Sequence, residues 1–464
     1  MAITLRPRQV KAVEDIQRAY RAGFKAPILV MPTGGGKTAT ASVIMQMAIA
    51  RGKRVWFLAH LDEILKATAA KLRAEGIPYG WIAADMPGDR KQAVQVVSVF
   101  TLVNRLDRYD PPDFLIVDEA HLAVANSYQV IFEWAHAGPK FWRPGGAHLL
   151  HLTATPQRLD GRGMGEVADI LIPTCSTQDL IDEQLLAPIR YFEPTVLGPD
   201  GKPAIVGDPL SHYRKHADGR PAIAFCVSNK EADEQAELFR RAGYRTMAIS
   251  GDSDPGLRDA AVEGIMSGAI DVVFNCKLWV AGVDVPAVSC IIDLSPTESV
   301  TRYLQGLGRG LRTHPGKTDL IYLDCVGNKA RHGDPTAPRL WSLLGAAQGS
   351  GRVASEVPSK TCPHCFSTVH AAATHCHCGH QFEAKPRVVQ RIDGELRESQ
   401  LRAQEAARLE ARQAQGRAKT EQELIESARK TGKKRPELWA RHVIRARMEK
   451  EKRNGQPMDA GHGF

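Results

Sequence analysis

No apolar run in this chain approaches the roughly 20 residues that a membrane-spanning helix needs, which argues against any membrane contact. The opening stretch MAITLRPRQV meets Arg6 and Arg8 before any apolar core, so it is no secretory signal and cytoplasmic residence is expected. Net charge is almost missing from most of the length. Of the formal +9, residues 385–464 supply +8, from 20 Lys and Arg against 12 Asp and Glu, leaving 41 against 40 for residues 1–384. Heptad spacing is missing as well. In residues 388–430 the large apolar residues Leu396, Leu401, Leu409, Leu424 and Ile425 keep no a/d register, which excludes a coiled coil and predicts a solvated helix.

Cysteine is thinly spread outside one cluster. Cys175, Cys226, Cys276, Cys290 and Cys325 are scattered, mostly in apolar stretches, and read as core residues. Cys362, Cys365, Cys376 and Cys378 lie close together, which in a cytosolic chain points to metal rather than disulfides. The remaining composition, 43% apolar and 24% charged over 464 residues, is that of a soluble protein with two or three domain-sized cores.

Two runs of alternating strands and helices are present. In the first, PILV, VWFLA (55–59), QVVSV (95–99), FLIVD (114–118) and HLLHLT (148–153) are short apolar segments suited to a buried parallel sheet. Residues 195–219, rich in Gly, Pro, Asp and His, read as a connector. The alternation resumes with AIAFCV (222–227), RTMAIS (245–250), DVVFNC (271–276), VSCIIDL (288–294) and DLIYLD (319–324), and after residue 345 the apolar strands stop. Only the first run carries a glycine-rich loop, so two similar lobes with one nucleotide site between them are expected.

That loop is MPTGGGKT (31–38). Gly34, Gly35 and Gly36 let backbone N–H groups turn around a phosphate with no Cβ in the way. Lys37 can reach the β- and γ-phosphates of ATP, and the Thr38 hydroxyl can ligate Mg²⁺. One feature departs from the pattern G-x-x-x-x-G-K-[ST], which asks for glycine where this chain has Met31. FLIVDEAH (114–121) then ends a strand with two carboxylates, Asp118 to complete the Mg²⁺ site and Glu119 to polarise the attacking water. TATP (153–156) follows the next strand. In the second run, QGLGRGLR (305–312) supplies Gln305, Arg309 and Arg312. The two arginines are three apart, on one face if the segment is helical, and can reach a γ-phosphate only when the lobes close.

Taken in order, these motifs over about residues 3–330 resemble the superfamily 2 helicases of the DEAD/DEAH-box type, and most of all the RadD-like DNA-repair and phage-type helicases. Such helicases commonly use a PTGxGKT form, which includes Thr33 and does not require the first glycine. The resemblance implies two RecA-like parallel-sheet lobes with a nucleotide cleft between them, at residues 1–190 and 191–345. It makes Arg6 and Gln9 of LRPRQ candidate adenine contacts, and FLAH (57–60) and SVFT (98–101) strand-binding motifs. Asp284 of GVDVP (282–286) is placed near the ribose. Val280-Ala281 departs from the Thr or Glu common before that glycine, which puts a nucleic-acid or coupling contact in doubt.

TCPHCFSTVHAAATHCHCGHQF (361–382) resembles a zinc ribbon, expected over residues 358–384. Its ligands for Zn²⁺ are Cys362, Cys365, Cys376 and Cys378, with His375 as the alternative fourth ligand. Residues 385–464 are then a mostly helical basic tail, in which Trp439 and His442 lie among Lys and Arg, a composition suited to phosphates and base stacking or to a protein partner. The expected function is an ATP-dependent helicase or translocase acting on nucleic acid, DNA before RNA, in repair, recombination or replication. The alternatives are an RNA helicase, a double-strand translocase and an inactive ATP-gated clamp or scaffold.

Overall fold

The computed structural model describes residues 5–84, 86–158, 163–196, 198, 204–251, 253–276, 285–344, 359–361, 368–370, 389–399 and seven isolated positions beyond. The first lobe runs through α1 (Pro7–Arg21), β1 (Pro27–Val30), α2 (Lys37–Ile49), β2 (Val55–Ala59) and α3 (Asp62–Ala74). It continues through β3 (Gly80–Ile82), β4 (Val94–Ser98), α4 (Val99–Val103), β5 (Phe114–Val117), α5 (Asn126–Trp134) and α6 (Gly138–Phe141). It ends with β6 (His148–Thr153), β7 (Ile170–Pro173) and α7 (Thr177–Asp182). The sheet order is β3-β4-β2-β5-β6-β1-β7, and every pairing is parallel.

Continuous apolar strands suit this sheet because both of its faces are covered. The period of two divides each strand between two cores. Ile28 and Val30 join Leu58, Leu115 and Val117 on one face, while Leu29 and Met31 join Phe57, Ile116 and Leu150 on the other. Met31, 1% exposed, is therefore a core residue immediately after β1.

The second lobe comprises β8 (Ile189–Pro194), β9 (Ala204–Val206), α8 (Pro209–Ala217), β10 (Ala222–Phe225), α9 (Asn229–Arg241) and β11 (Thr246–Ile249). Then come α10 (Pro255–Ser267), β12 (Val272–Asn275), β13 (Cys290–Asp293), α11 (Val300–Gly310), β14 (Leu320–Asp324) and α12 (Asn328–His332). Farther along are β15 (Ser359–Thr361), β16 (Thr368–His370), β17 (Gln390–Ile392) and β18 (Leu396–Glu398). The second sheet has the order β11-β12-β10-β13-β14-β8-β18, parallel except for β18.

Two expectations are corrected here. Residues 195–219 are not a plain connector, since they hold β9 and α8. Asp208 caps α8 by accepting from the Ser211 N–H at 3.0 Å, Pro209 takes the first turn, and Tyr213 is fully buried. Gly, Pro and Asp here mark a helix start rather than a loop. Residues 388–430 are likewise not one solvated helix. β17 pairs with β9, and β18 adds antiparallel to β8, with Leu396 buried and Arg190 making two 2.9 Å hydrogen bonds to Glu398. An edge strand that buries a single leucine leaves almost no periodic signal. The tail therefore begins near Ser399 rather than at 385, and residues 399–464 form a unit of their own, in which Leu424 and Ala440 are buried.

Cys362, Cys365, His375, Cys376, Cys378, Asp284, Val280, Ala281, Trp439 and His442 lie outside the described residues. Among the described residues no helix is long and apolar enough to cross a membrane.

Candidate functional site: a cleft between two lobes

In an open parallel sheet the ligand crevice lies beyond the carboxyl ends of the strands. The loop after β1, the acidic pair after β5 and the segment after β6 all emerge at that edge. Gly34 and Gly36 have φ of +83° and +94°, left-handed values that turn the loop back over β1 and start α2 at Lys37. No side chain caps the start of α2, so its first N–H groups face the crevice.

The structure also explains Met31. A Cβ on Gly35 would lie 2.5 Å from Met31 Cγ, so Gly35 makes room for a core side chain at the position where the common pattern has glycine. Gln9 braces the same loop from α1. Its amide donates to the Gly35 carbonyl at 3.1 Å, and its oxygen accepts from the Arg6 N–H at 2.9 Å. Arg6 itself is exposed. Lys37 Nζ donates to the Met31 carbonyl at 3.1 Å. Thr33 faces the second lobe, and Thr38 lies half-buried in the first turn of α2.

Asp118 and Glu119 follow β5. The Asp118 N–H is held by the Leu58 carbonyl at 3.1 Å, and its carboxylate accepts from the Glu119 N–H at 2.9 Å. Glu119 has φ 48° and ψ 50°, a left-handed backbone that non-glycine residues seldom adopt. Burial, and then the neighbouring Glu119 charge, push the Asp118 carboxyl up. Burial works to raise Glu119 too, but His121, Lys37 and Arg309 outweigh it and hold this carboxyl down as an anion. Two adjacent carboxylates are thus driven apart in acidity.

The second lobe closes the site with α11. Gln305 and Arg309, four residues apart on one helix face, are 5% and 8% exposed. Gln305 Nε2 donates to Glu119 Oε2 at 3.1 Å, across the cleft. Burial lowers the Arg309 guanidinium, and the Glu119 charge partly restores it. Gly308 allows this approach, because a Cβ there would lie 2.9 Å from Thr33 Cβ. Thr301 Oγ1 donates to the Gln157 carbonyl just beyond TATP at 3.1 Å.

Arg312 does not share the helical face of Arg309. The helix ends at Gly310, and Arg312 bridges to Leu186 in the segment between the lobes, where burial lowers its guanidinium. Lys317 Nζ closes the helix end by donating to the Gly310 and Arg312 carbonyls at 2.6 and 2.8 Å. The structure adds one residue to the site, His121, 6% exposed, with Nδ1 3.4 Å from Glu119 Oε2. Its signal was its place in the DEAH run.

Two family profiles match the chain. Residues 2–158 match the type III restriction enzyme res subunit, and residues 202–314 match the helicase conserved C-terminal domain. A 51.5 kDa protein of a Lactococcus phage (isolate 7-9) is 28% identical over 79% of this chain and 80% of its own length. The irc3 protein of Schizosaccharomyces pombe, whose name carries a provisional assignment as a mitochondrial ATP-dependent helicase, is 29% identical over 72% of this chain. The match spans 60% of that protein's length. A solved fragment of a provisionally assigned HsdR subunit of a type I restriction enzyme from Vibrio vulnificus YJ016 shares the fold, with TM-score 0.54 and 20% identity. That likeness covers 71% of this chain and 65% of the fragment. With the phosphate loop, the DEAH run and the second-lobe helix assembled on two RecA-like sheets, the chain belongs to the superfamily 2 helicases, a family of ATP-hydrolysing enzymes.

Proposed function

We propose that the chain is a motor that couples ATP hydrolysis in this cleft to movement along, or unwinding of, DNA. The observation that carries the reading is the hydrogen bond from Gln305 to Glu119, because it makes the environment of that carboxylate depend on closure of the lobes. In this reading the loop N–H groups of Gly34, Gly35 and Gly36 cradle the phosphates and Lys37 contacts the β- and γ-phosphates. Asp118 and Thr38 would hold Mg²⁺, which would neutralise charge on the phosphates; a buried carboxylate beside a second one suits such a cation. Glu119 orients the attacking water, and Arg309 supplies charge from the opposite lobe. Arg312, Arg6, Thr33 and Asp284 complete the nucleotide site, with Gln9 bracing the loop beneath the base.

The match of residues 2–158 to a restriction-enzyme subunit supports DNA over RNA; a place in repair, recombination or replication, in the cytoplasm, is part of the same reading. The test compares ATPase stimulation by single-stranded DNA, duplex DNA and RNA. DNA is expected to stimulate most. Stronger stimulation by RNA would make this an RNA helicase, and duplex stimulation without strand separation a translocase. No ATP turnover with any of them would leave an ATP-gated clamp. The basic tail binds further phosphates in this reading. Removing residues 400–464, and so sparing β18, should lower the slope of log K against log salt by about 0.7 to 0.9 for each phosphate that the tail neutralises. Equal slopes and affinities for the two proteins would instead leave the tail as a solubility element or a partner handle.

Cys362, Cys365, Cys376 and Cys378, with His375 as the alternative, would hold one Zn²⁺ in a tetrahedral thiolate set. Elemental analysis of the desalted full-length protein is expected to find one zinc per chain. Less than about a tenth of an equivalent would remove the ribbon, since a module this small has little core without metal.

A further inference from the structure

For Gln305 to donate to Glu119 across the cleft, α11 must sit at one height and one rotation. Its opposite face is fastened by a chain of buried hydroxyls. Tyr303, 2% exposed, lies two residues before Gln305, about 200° around the helix. Its hydroxyl donates to the Tyr191 hydroxyl in β8 at 2.9 Å, and Tyr191 donates to Asp324 Oδ2, at the end of β14, at 2.8 Å. Asp324 is itself pinned by the N–H groups of Asn328 and Lys329, at 2.8 and 2.9 Å, where α12 begins. Beside it in register, Asp293 accepts from the Tyr322 hydroxyl at 2.6 Å and from Asn328 Nδ2 at 2.8 Å. The rings add a second constraint. Tyr191 stacks on Tyr322 at 4.9 Å, and Tyr303 stacks on His332 at 5.4 Å. The hydroxyl and carboxylate oxygens named here bond one another or backbone N–H groups within the second lobe, which makes the network a mount for α11 beside the small cavity that Asp293, Tyr303 and Tyr322 line.

We propose that Tyr303 is a positioning residue, whose hydroxyl, through Tyr191 and Asp324, sets the pose of α11 at which Gln305 donates to Glu119. The inference rests on the reading of the cleft given above. A hydroxyl chain ending on a buried carboxylate is a charge-assisted link, stronger and more directional than apolar packing. Because β8 follows directly on the segment that joins the lobes, the same mount ties the pose of α11 to that segment. Removing the hydroxyl leaves the ring packing but frees the helix to shift by a few tenths of an ångström, enough to lengthen a cross-cleft hydrogen bond.

The test is a double-mutant cycle on the full chain with Tyr303→Phe and Gln305→Ala, reading kcat and KM for ATP together with thermal stability. Tyr303→Phe alone is expected to lower kcat about tenfold, equivalent to about 1.4 kcal/mol, with KM changed less than about twofold. In the Gln305→Ala background the same change should cost less than about twofold, because the hydrogen bond it positions is already gone. A merely structural tyrosine would lower the melting temperature and leave kcat of the folded protein intact. Wild-type kcat in Tyr303→Phe, beside a slow Gln305→Ala, overturns this inference and spares the cleft. Equal losses in both backgrounds overturn it as well. Wild-type turnover in Gln305→Ala removes the cleft reading and this inference with it. Tyr191→Phe breaks the chain at its next link and takes the place of Tyr303→Phe in the cycle if that variant does not fold.

Discussion

Glu119→Gln is expected to lower ATP turnover roughly a thousandfold, the scale of losing a positioned general base, while ATP binding persists. The carboxylate is largely enclosed, charged, and held in a left-handed backbone at the cleft. Glutamine keeps the volume and still presents an oxygen to Gln305, so the closed arrangement survives without the base. Binding and chemistry should therefore separate, with the variant trapped closed on nucleotide and strand. Equilibrium ATP binding and single-turnover hydrolysis measured on the same preparation decide the matter. More than about a tenth of wild-type turnover would move the base to another residue.

Arg309→Ala should cost about a thousandfold as well, at the lower end of what an arginine finger supplies, but by a different route. This guanidinium is 8% exposed on a helix of the opposite lobe, and burial lowers it while Glu119 opposes the loss. Alanine removes charge that acts only when the lobes are closed, so kcat should fall far more than ATP affinity. Arg309→Lys should recover little, because an ammonium lacks the planar fork of donors. Turnover of Arg309→Ala within about tenfold of wild type would assign the finger to Arg312, despite its place beyond the helix end.

Much of the motor could be read along the chain. PILV, VWFLA and HLLHLT became β1, β2 and β6 at the expected residues or within one of them, because a strand buried on both faces announces itself by its own apolar run. The edges were harder. β7 and β18 each bury little, and β3 is three residues long, so none gives a run or an alternation to find. Asp208-Pro209 was a helix start hidden in a stretch whose composition read as loop.

What the sequence determined by itself is the chemistry that depends on residues within a turn of one another. Three glycines before Lys37, and Asp118-Glu119 after an apolar strand, specify a phosphate loop and an acidic pair, because backbone freedom and adjacent charge are local properties. Only the tertiary structure decided which distant groups meet. Gln305 reaches Glu119 across 186 positions, Gly308 lets α11 lie against Thr33, Met31 packs beneath Gly35, and residues 396–398 return to the edge of β8. The physical reason is that such pairings follow from how two separately buried sheets dock, and the entropy of closing so long a loop grows too slowly with its length to favour any one of them in advance.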